Sequence, residues 1–504
     1  MADDQSPDMP ADRGLPSHQM LIGGDWCDTE TGARLTTVNP YTGEAWAMVP
    51  DGRPGDVDAA VAAASAALTG QWGSLTATRR GGLMRRLADL LRERGPELAR
   101  IESRDNGKLL RETSGQLDSL PDWYDYFGGL ADKLEGATPP ATKPDLFTYT
   151  RHEPVGVVGA ILPWNSPLLL MSFKVAPALA AGCTVVVKPS EQTPVSTLEF
   201  ARLFEEAGFP PGVFNVVTGG REVGARIASH PDVAKVAFTG STEAGVQVMR
   251  SAADHVARVT LELGGKSPNI VFGDADLEAA TSGVLAGIFA ATGQTCIAGS
   301  RLLVHRSVHE ALLEKVVARA RTIVLGDPAA PETEMGPCAT AEQLAKVEGF
   351  VDRARADGLT VLSGGRRPED AALARGYFYE PTIVTGASSD HEIAREEIFG
   401  PVLTVIPFDT EEEAVAIAND TRFGLGAGVW TSDVKRAHRV AHAIRAGSVW
   451  VNCYRMLTYN MPFGGYGMSG TGRENGLEAI REYTETKGVW INLSGESRDP
   501  FVMG

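Results

Sequence analysis

Cysteine is scarce in this chain: five residues in 504, at Cys27, Cys183, Cys296, Cys338 and Cys453. Their number is odd, their spacing is wide and no C-x-x-C pair occurs, which argues against a disulfide framework and a zinc cluster. A reducing cytoplasm is the expected location. Long apolar runs are also missing, and no stretch approaches the roughly 20 apolar residues of a membrane span. Basic charge is in deficit, with 47 Lys and Arg against 64 Asp and Glu, for a net charge of −17 spread along the chain. That balance disfavours a nucleic-acid or anionic-membrane partner, although acidity of this kind identifies no particular enzyme. The first 19 residues, MADDQSPDMPADRGLPSHQ, lack the basic start and apolar centre of a secretory signal. They read as a disordered tail.

The rest has the composition of an ordinary soluble globular protein, 43% hydrophobic and 22% charged. Its length calls for two or three domains. From about 154 to 272, short β-branched runs (VGVVGAI, TVVVK, FNVVTG, KVAFTG, VTLEL, NIVF) alternate with segments of helical spacing, such as PVSTLEFARLFEEAG and STEAGVQVMRSAAD. This alternation predicts a mainly parallel α/β sheet covered by helices on both faces. A second alternation follows, with RLLVH, VHEALLEKVVARART, PVLTVIPF, EEEAVAIAN and AGVWT, and predicts a second α/β domain. The arginine-rich region 55–110 reads as a helical cap. Two strand-like pieces, LFTYTRHE near 146–153 and KGVWINLS near 487–494, belong to neither alternation. Isolated strands of this kind often extend a neighbouring subunit's sheet. Cys183, in the run CTVVV, reads as a buried strand residue.

Three motif matches fail on context. GYGMSG (465–470) fits G-x-G-x-x-G but follows NMPFG rather than a strand. GGKS (264–267) ends like a phosphate loop, yet Thr260 stands where that loop needs Gly. HRVAH (438–442) sets two histidines on one helical face without the Glu of a zinc protease, and reads as a solvated face.

The stretch ATGQTCIAGS (291–300) is where chemistry is expected. A nucleophilic thiol needs access, a base or polarising group, and donors for the developing oxyanion. Gly293 before Cys296, and Ala298 and Gly299 after it, would permit close approach by a ligand. LELGGKSP (261–268) puts Glu262 at the end of a strand-like run, where a carboxylate can act as general base. ILPWNSP (161–167) ends another strand with Asn165, whose amide can donate to an oxyanion. EEIFGPV (396–402) supplies Glu397 just before an apolar strand. Ligand sites in open α/β sheets gather at the carboxyl ends of strands, so convergence of these stretches on one cleft is expected.

From about residue 20 to 493 the chain resembles the aldehyde dehydrogenase superfamily of NAD(P)-dependent enzymes. Seven motifs in the family's order carry the likeness: PWN (163–165), KPSEQTP (188–194), FTGSTEAG (238–245), LELGGKSP, GQTC (293–296), EEIFGPV and PFGGYGMSG (462–470). The resemblance implies a Rossmann-like dinucleotide-binding domain (20–131 and 154–264), a second α/β catalytic domain (265–469) and a small β oligomerisation arm (132–153 and 484–498). Cys296 matches the nucleophile, Glu262 the general base, Asn165 the oxyanion donor and Lys174 a lysine close to the reacting centre. Lys188 and Glu191 match positions at the adenosine ribose, with Ser190 also in the implied cofactor set, while Gly240 and Ser241 open a helix that can take a cofactor phosphate. Glu397 and Phe399 match residues that position the nicotinamide ribose and ring. Ile161, Pro163, Trp164, Gly220, Gly224, Phe238 and Leu263 complete the implied cofactor set. Ser166, Leu170, Phe173, Thr295, Ile297, Arg455, Leu457 and Phe463 fall near the substrate tunnel. No metal is implied.

One departure stands out: Ala291 replaces the usual Asn two residues before the Gly-Gln pair, which implies altered packing behind the loop and intact chemistry. Ser166 stands where relatives that oxidise simple aldehydes often carry an aromatic residue, implying a roomier pocket. Arg455 would meet either a substrate carboxylate or a protein carboxylate at the tunnel rim. The implied reaction is two-stage: a Cys296 thiohemiacetal is oxidised to a thioester, which water activated by Glu262 hydrolyses to the acid. NAD is the expected cofactor, with some use of NADP, and the expected partners are a small aldehyde (a semialdehyde acid or other polar aldehyde) and further copies of the chain in a homodimer or homotetramer. A CoA-acylating dehydrogenase is a rival that the retained Glu262 disfavours. A non-catalytic structural protein on the same scaffold is a second, disfavoured by the retention of both Cys296 and Glu262.

Overall fold

The computed structural model describes residues 14–495 and 501. Two sheets organise them. The first has eight strands in the order Gly470–Thr471, Arg258–Glu262, Val233–Thr239, Val157–Ile161, Thr184–Lys188, Phe214–Val216, Met20–Ile22, Asp25–Cys27. Its middle is parallel and both of its edges are antiparallel. The second has seven strands in the order Thr360–Ser363, Thr382–Thr385, Val402–Phe408, Arg301–His305, Pro268–Val271, Gly426–Trp430, Ser448–Val451. Only its first pair is antiparallel.

The central strands Val157–Ile161 and Thr184–Lys188 are buried at every position. Continuous β-branched runs suit strands that carry helices on both faces. Between them runs the helix Pro167–Ala181, buried at all positions but Leu169. Proline opens it, and Gly182 at φ +98° ends it in the left-handed conformation that only glycine adopts cheaply. Each large apolar side chain it buries, such as Leu168, Met171 and Phe173, contributes about 1.5–3 kcal/mol. Gly159 lets the helix Arg221–Ser229 pack closely on the sheet, since a Cβ there would lie 2.3 Å from Ile227 Cγ2.

The strand-like pieces near 146 and 487 pair with each other. Leu146–Pro154 and Thr484–Asn492 form an antiparallel ribbon in unbroken register, from Pro154 opposite Thr484 to Leu146 opposite Asn492. The ladder ties the two segments to each other across 330 residues of sequence at its Pro154–Thr484 end.

The expected tail at 1–19 needs correction over its last six residues; 1–13 lie outside the described residues. Met48 N donates to Pro16 O, His18 N donates to Met48 O, and His18 Nδ1 lies 2.9 Å from Glu199 Oε1. A polar sequence read as tail is held by backbone pairing to the hairpin of Arg34–Asn39 and Glu44–Pro50, which composition does not reveal. All five cysteines are free thiols, and Cys183 is fully buried.

Candidate active site

A cavity of about 150 Å³ opens where strands of both sheets end. Pro163, Trp164, Asn165 and Leu170 reach it from the first turn after Val157–Ile161, and Thr239, Gly240, Ser241, Leu263 and Gly264 from the ends of the next two strands. Cys296, Gln343, Lys346, Glu397 and Phe399 close it from segments around the second sheet. The convergence expected at carboxyl ends is therefore present.

Cys296 follows an unusual turn. Ala291, Thr292 and Gly293 take φ of +53°, +57° and +69°, three left-handed residues in succession. For residues other than glycine this costs about 1–3 kcal/mol each and persists only where surroundings enforce it. Ala291 N donates to Glu112 Oε1 at 2.8 Å, Thr292 Oγ1 donates to Gly336 O at 3.0 Å, and Ala339 N donates to Gln294 Oε1 at 2.8 Å. Two small residues have a different purpose from the expected one. A Cβ at Gly293 would sit 2.1 Å from Gly400 O, and one at Gly299 would sit 3.1 Å from the Tyr454 ring. They admit protein, not ligand. Burial, with Glu262 and then Glu397 adding to it, pushes the Cys296 thiol up to about 12. At neutral pH the resting thiol holds its proton, so attack requires a base.

Glu262 ends the strand Arg258–Glu262, and neither of its carboxylate oxygens accepts a hydrogen bond among the described residues. Burial first, and the Glu474 charge second, raise it well above the ordinary carboxylate range, while Lys174 and Arg473 oppose the shift. Lys174, at the middle of Pro167–Ala181, donates to Thr239 Oγ1 at 2.6 Å and to Glu474 Oε1. It pairs with Glu474, opposes the Glu262 shift by its own charge, and does not line the cavity.

Asn165 is fixed from both sides: its Nδ2 donates to Gln294 O at 3.0 Å and its carbonyl accepts from Asn106 Nδ2 at 3.3 Å. Glu397 accepts from Gly265 N at 2.8 Å, and a Cβ on Gly264 would lie 2.3 Å from its Oε2. Burial pushes its carboxyl up to about 7. Phe399, at φ +61°, meets Trp164 edge-on at 5.2 Å, and Gln343 Nε2 donates to the carbonyls of both Ile398 and Phe399 at 2.8 Å.

The remaining implied cofactor residues gather near the ends of Thr184–Lys188 and Phe214–Val216. Lys188 Nζ pairs with Glu191 Oε2 at 2.9 Å, Ser190 lies between them, and a Cβ on Gly224 would touch Lys188 Cδ at 3.8 Å. Gly220 precedes the helix Arg221–Ser229 with open space around it. Ile161 and Phe238 end neighbouring strands of the sheet, and Ser241 caps the helix Thr242–Ala253 by accepting from Ala244 N. No group of three or more metal-ligating side chains occurs among the described residues.

On the substrate side, Phe173 stacks on Trp123 at 5.3 Å and meets Phe463 at 6.3 Å; Ile297 is buried and Leu457 packs on the same core. Arg455, at φ +62°, donates from Nη1 to the carbonyls of Ala286 and Ala290, and from Nη2 to Thr295 Oγ1. No protein carboxylate is bonded to it among the described residues; carbonyls and a hydroxyl are. Sequence reading missed Glu474, Glu112, Gln343 and Lys108. Lys108 donates to Ser166 Oγ from a helix end marked only by its Asn-Gly-Lys triplet.

The aldehyde dehydrogenase family profile matches residues 26–489. The (Z)-2-((N-methylformamido)methylene)-5-hydroxybutyrolactone dehydrogenase of Acinetobacter baylyi is 48% identical over 493 residues, covering 97% of this chain and 100% of that protein. The betaine aldehyde dehydrogenase of Bacillus subtilis is 45% identical over 94% of this chain and 98% of its own length. A crystallised point mutant of Staphylococcus aureus betaine aldehyde dehydrogenase, in complex with NAD+ and with a BME-modified cysteine, superposes with a TM-score of 0.95. It is 41% identical, over 97% of this chain and 100% of that one. On a match of this extent, the chain belongs to the aldehyde dehydrogenase family.

Proposed function

We propose that this aldehyde dehydrogenase uses NAD to oxidise an aldehyde that carries a carboxylate. The single observation supporting the chemistry is the meeting of Cys296, Asn165 and Glu397 in one cavity, with Glu262 at the adjoining strand end. The residues suit a dinucleotide: glycine at 264 leaves room for the buried Glu397 carboxylate, and the Ser241 helix cap faces the same cavity. In this reading Lys188 and Glu191 hold the adenosine ribose, Gly240 and Ser241 a phosphate, and Glu397 and Phe399 the nicotinamide end. Bound NAD supplies the two-electron acceptor that turns the covalent adduct into a thioester. Cys296 adds to the aldehyde carbon as its thiol proton passes to water, and the oxyanion is held by the free Asn165 amide hydrogen and the Cys296 peptide N–H. Glu262 then takes a proton from water as it attacks the thioester, releasing the acid and the thiol.

The substrate reading has two supports. A 5-hydroxybutyrolactone, as in the name of the Acinetobacter relative, is the ring-closed isomer of a four-carbon semialdehyde acid. In this chain, Arg455 brings a guanidinium to Thr295, beside the nucleophile. Betaine aldehyde is a cation and would be repelled there.

The ribbon of Leu146–Pro154 and Thr484–Asn492 exposes Phe147 and Ile491, opposite each other on one face, with the exposed Leu493 just beyond its end. A lone two-stranded ribbon is marginal in water, and this apolar face suits contact with another copy of the chain in a homodimer or homotetramer. No described helix is long and apolar enough to cross a membrane.

NADH formation across matched acidic, neutral and cationic aldehydes tests this function. The expected order of kcat/KM is acidic over neutral over cationic. Cys296→Ala should abolish NADH formation while NAD binding persists; turnover above a few per cent would put the nucleophile elsewhere.

A further inference from the structure

Lys108 follows the helix Ala77–Asn106 and the left-handed Gly107, and its side chain turns inward. The residue is only 6% exposed. Its ammonium donates to Ser166 Oγ and, at 3.5 Å, to Gln116 Oε1. Both partners are neutral, and Lys108 forms no ion pair among the described residues. An ammonium removed from water without an anion costs several kcal/mol. Such a group is normally paired, shifted or waiting for a charged ligand.

The surroundings bear on which of these applies. Two carboxylates act on the ammonium through charge, each with one oxygen bonded elsewhere and the other buried without a hydrogen bond among the described residues: Glu102 Oε2 accepts from Leu168 N and Glu112 Oε1 accepts from Ala291 N. Burial pushes Glu102 up to about 7, and the Lys108 ammonium and the Leu168 N–H oppose that shift. Arg455 adds a second cation whose donors are turned to Ala286, Ala290 and Thr295. Burial drives the Lys108 ammonium down, while Glu102 and Glu112 oppose that shift and Arg455 reinforces it. Ser166, the acceptor, directly follows Asn165 and stands before the helix that carries Leu170 and Phe173. The small Ser166 side chain thus holds a buried cation one residue behind Asn165, which lines the cavity while Ser166 and Lys108 do not.

We propose that Lys108 is a specificity-determining residue: its ammonium, held at Ser166, takes the carboxylate of an aldehyde acid, while Arg455 mainly braces the nucleophile turn. The inference rests on the carboxylate-substrate reading above but assigns it to a different side chain. A charge-assisted contact of this kind is worth about ten- to a hundredfold in specificity.

The probes are 4-oxobutanoate and its neutral methyl ester, compared by kcat/KM in the full-length enzyme. A second pair needs no turnover: alkylation of Cys296 by iodoacetate against iodoacetamide, which differ in charge at similar size. In Lys108→Met the acid-to-ester ratio should fall about ten- to a hundredfold through KM, and the iodoacetate-to-iodoacetamide ratio should fall with it. Lys108→Arg should restore most of both. If the wild type prefers the acid and Lys108→Met leaves that preference intact, the assignment to Lys108 is overturned and the substrate reading stands. If the wild type shows no preference for the acid, the substrate reading fails; an alkylation ratio unmoved by Lys108→Met then overturns Lys108 as well. Should Lys108→Met not fold, Ser166→Phe displaces the ammonium's acceptor. The same fall in both ratios is expected, and unchanged ratios refute the proposal.

Discussion

Lys174 and Glu474, 300 residues apart in the chain, form an ion pair with neither side chain reaching solvent. The pair sits beside the Glu262 carboxyl and acts on it with both signs, Glu474 raising it and Lys174 lowering it. Removing each partner should therefore move the base in opposite directions. A base must be ionised to act, so deacylation rises with pH through the Glu262 titration. In Lys174→Met that ascending limb should shift to higher pH, and in Glu474→Gln to lower pH. Breaking a buried pair should also cost about 3–5 kcal/mol in unfolding free energy. Limbs that move the same way in both variants would rule out this electrostatic coupling.

Glu262→Gln separates the two chemical stages. Its oxygens lack hydrogen-bond partners among the described residues, so the substitution removes a proton acceptor without breaking a bond. A burst of NADH followed by a stall is expected, with an acyl group on Cys296 by mass spectrometry. A stalled enzyme without that adduct contradicts the deacylating role. A slowed burst assigns Glu262 the thiol proton too.

Asn165→Ala should lower kcat by about 10²–10³, the usual loss for one oxyanion donor. Its Nδ2 also holds Gln294 O, two residues before the nucleophile. Asn165→Asp, which keeps the shape and removes the Nδ2 donor, should fail as badly; recovery there would show that neither the oxyanion contact nor the Gln294 bond is needed.

Glu191 would repel a 2′-phosphate, and the Lys188 ammonium paired with it would attract one. NAD should therefore be preferred, with some activity on NADP. Glu191→Ala frees Lys188 and should raise kcat/KM for NADP about tenfold, one charge-assisted contact. Equal wild-type kcat/KM for both cofactors would refute the preference.

Asp105 ties three elements together, accepting from Thr37 Oγ1 at 2.7 Å and from Val195 N at 3.0 Å. Burial pushes it up to about 7, so the folded state holds its proton more tightly than the unfolded chain. The stability this gives is complete below the ordinary carboxyl range and is lost as pH rises through about 7. Asp105→Asn should flatten the decline of Tm between about pH 4 and 7. An undiminished slope assigns the pH dependence to other groups.

The parallel strands were legible because β-branched runs buried on both faces leave a local signature, and the helices because apolar residues recur at their spacing. TVVVK and RLLVH match their strands, and EEEAVAIAN its helix, residue for residue. Cys296, Asn165 and Glu397 were legible from motifs at strand ends. Pairings between distant segments were not. Lys174 with Glu474, Ala291 with Glu112 and Lys108 with Ser166 join residues whose neighbours in sequence carry no trace of the partner. Gly293 and Gly299 were misread for a related reason: an absent Cβ marks close approach but not by what. Ala291 illustrates the same limit, since its left-handed φ, which Asn tolerates better than Ala, is visible only in three dimensions.

The short strand Gly470–Thr471 pairs with the end of Arg258–Glu262, setting Gly470 opposite Glu262. During synthesis the strand bearing Glu262 leaves the ribosome roughly 200 residues before the segment that covers its edge. At about 5–20 residues per second that edge stays bare for about 10–40 s. The first sheet cannot be completed as an independent unit on the nascent chain, and a message truncated before codon 470 would yield a polypeptide with an open, aggregation-prone edge.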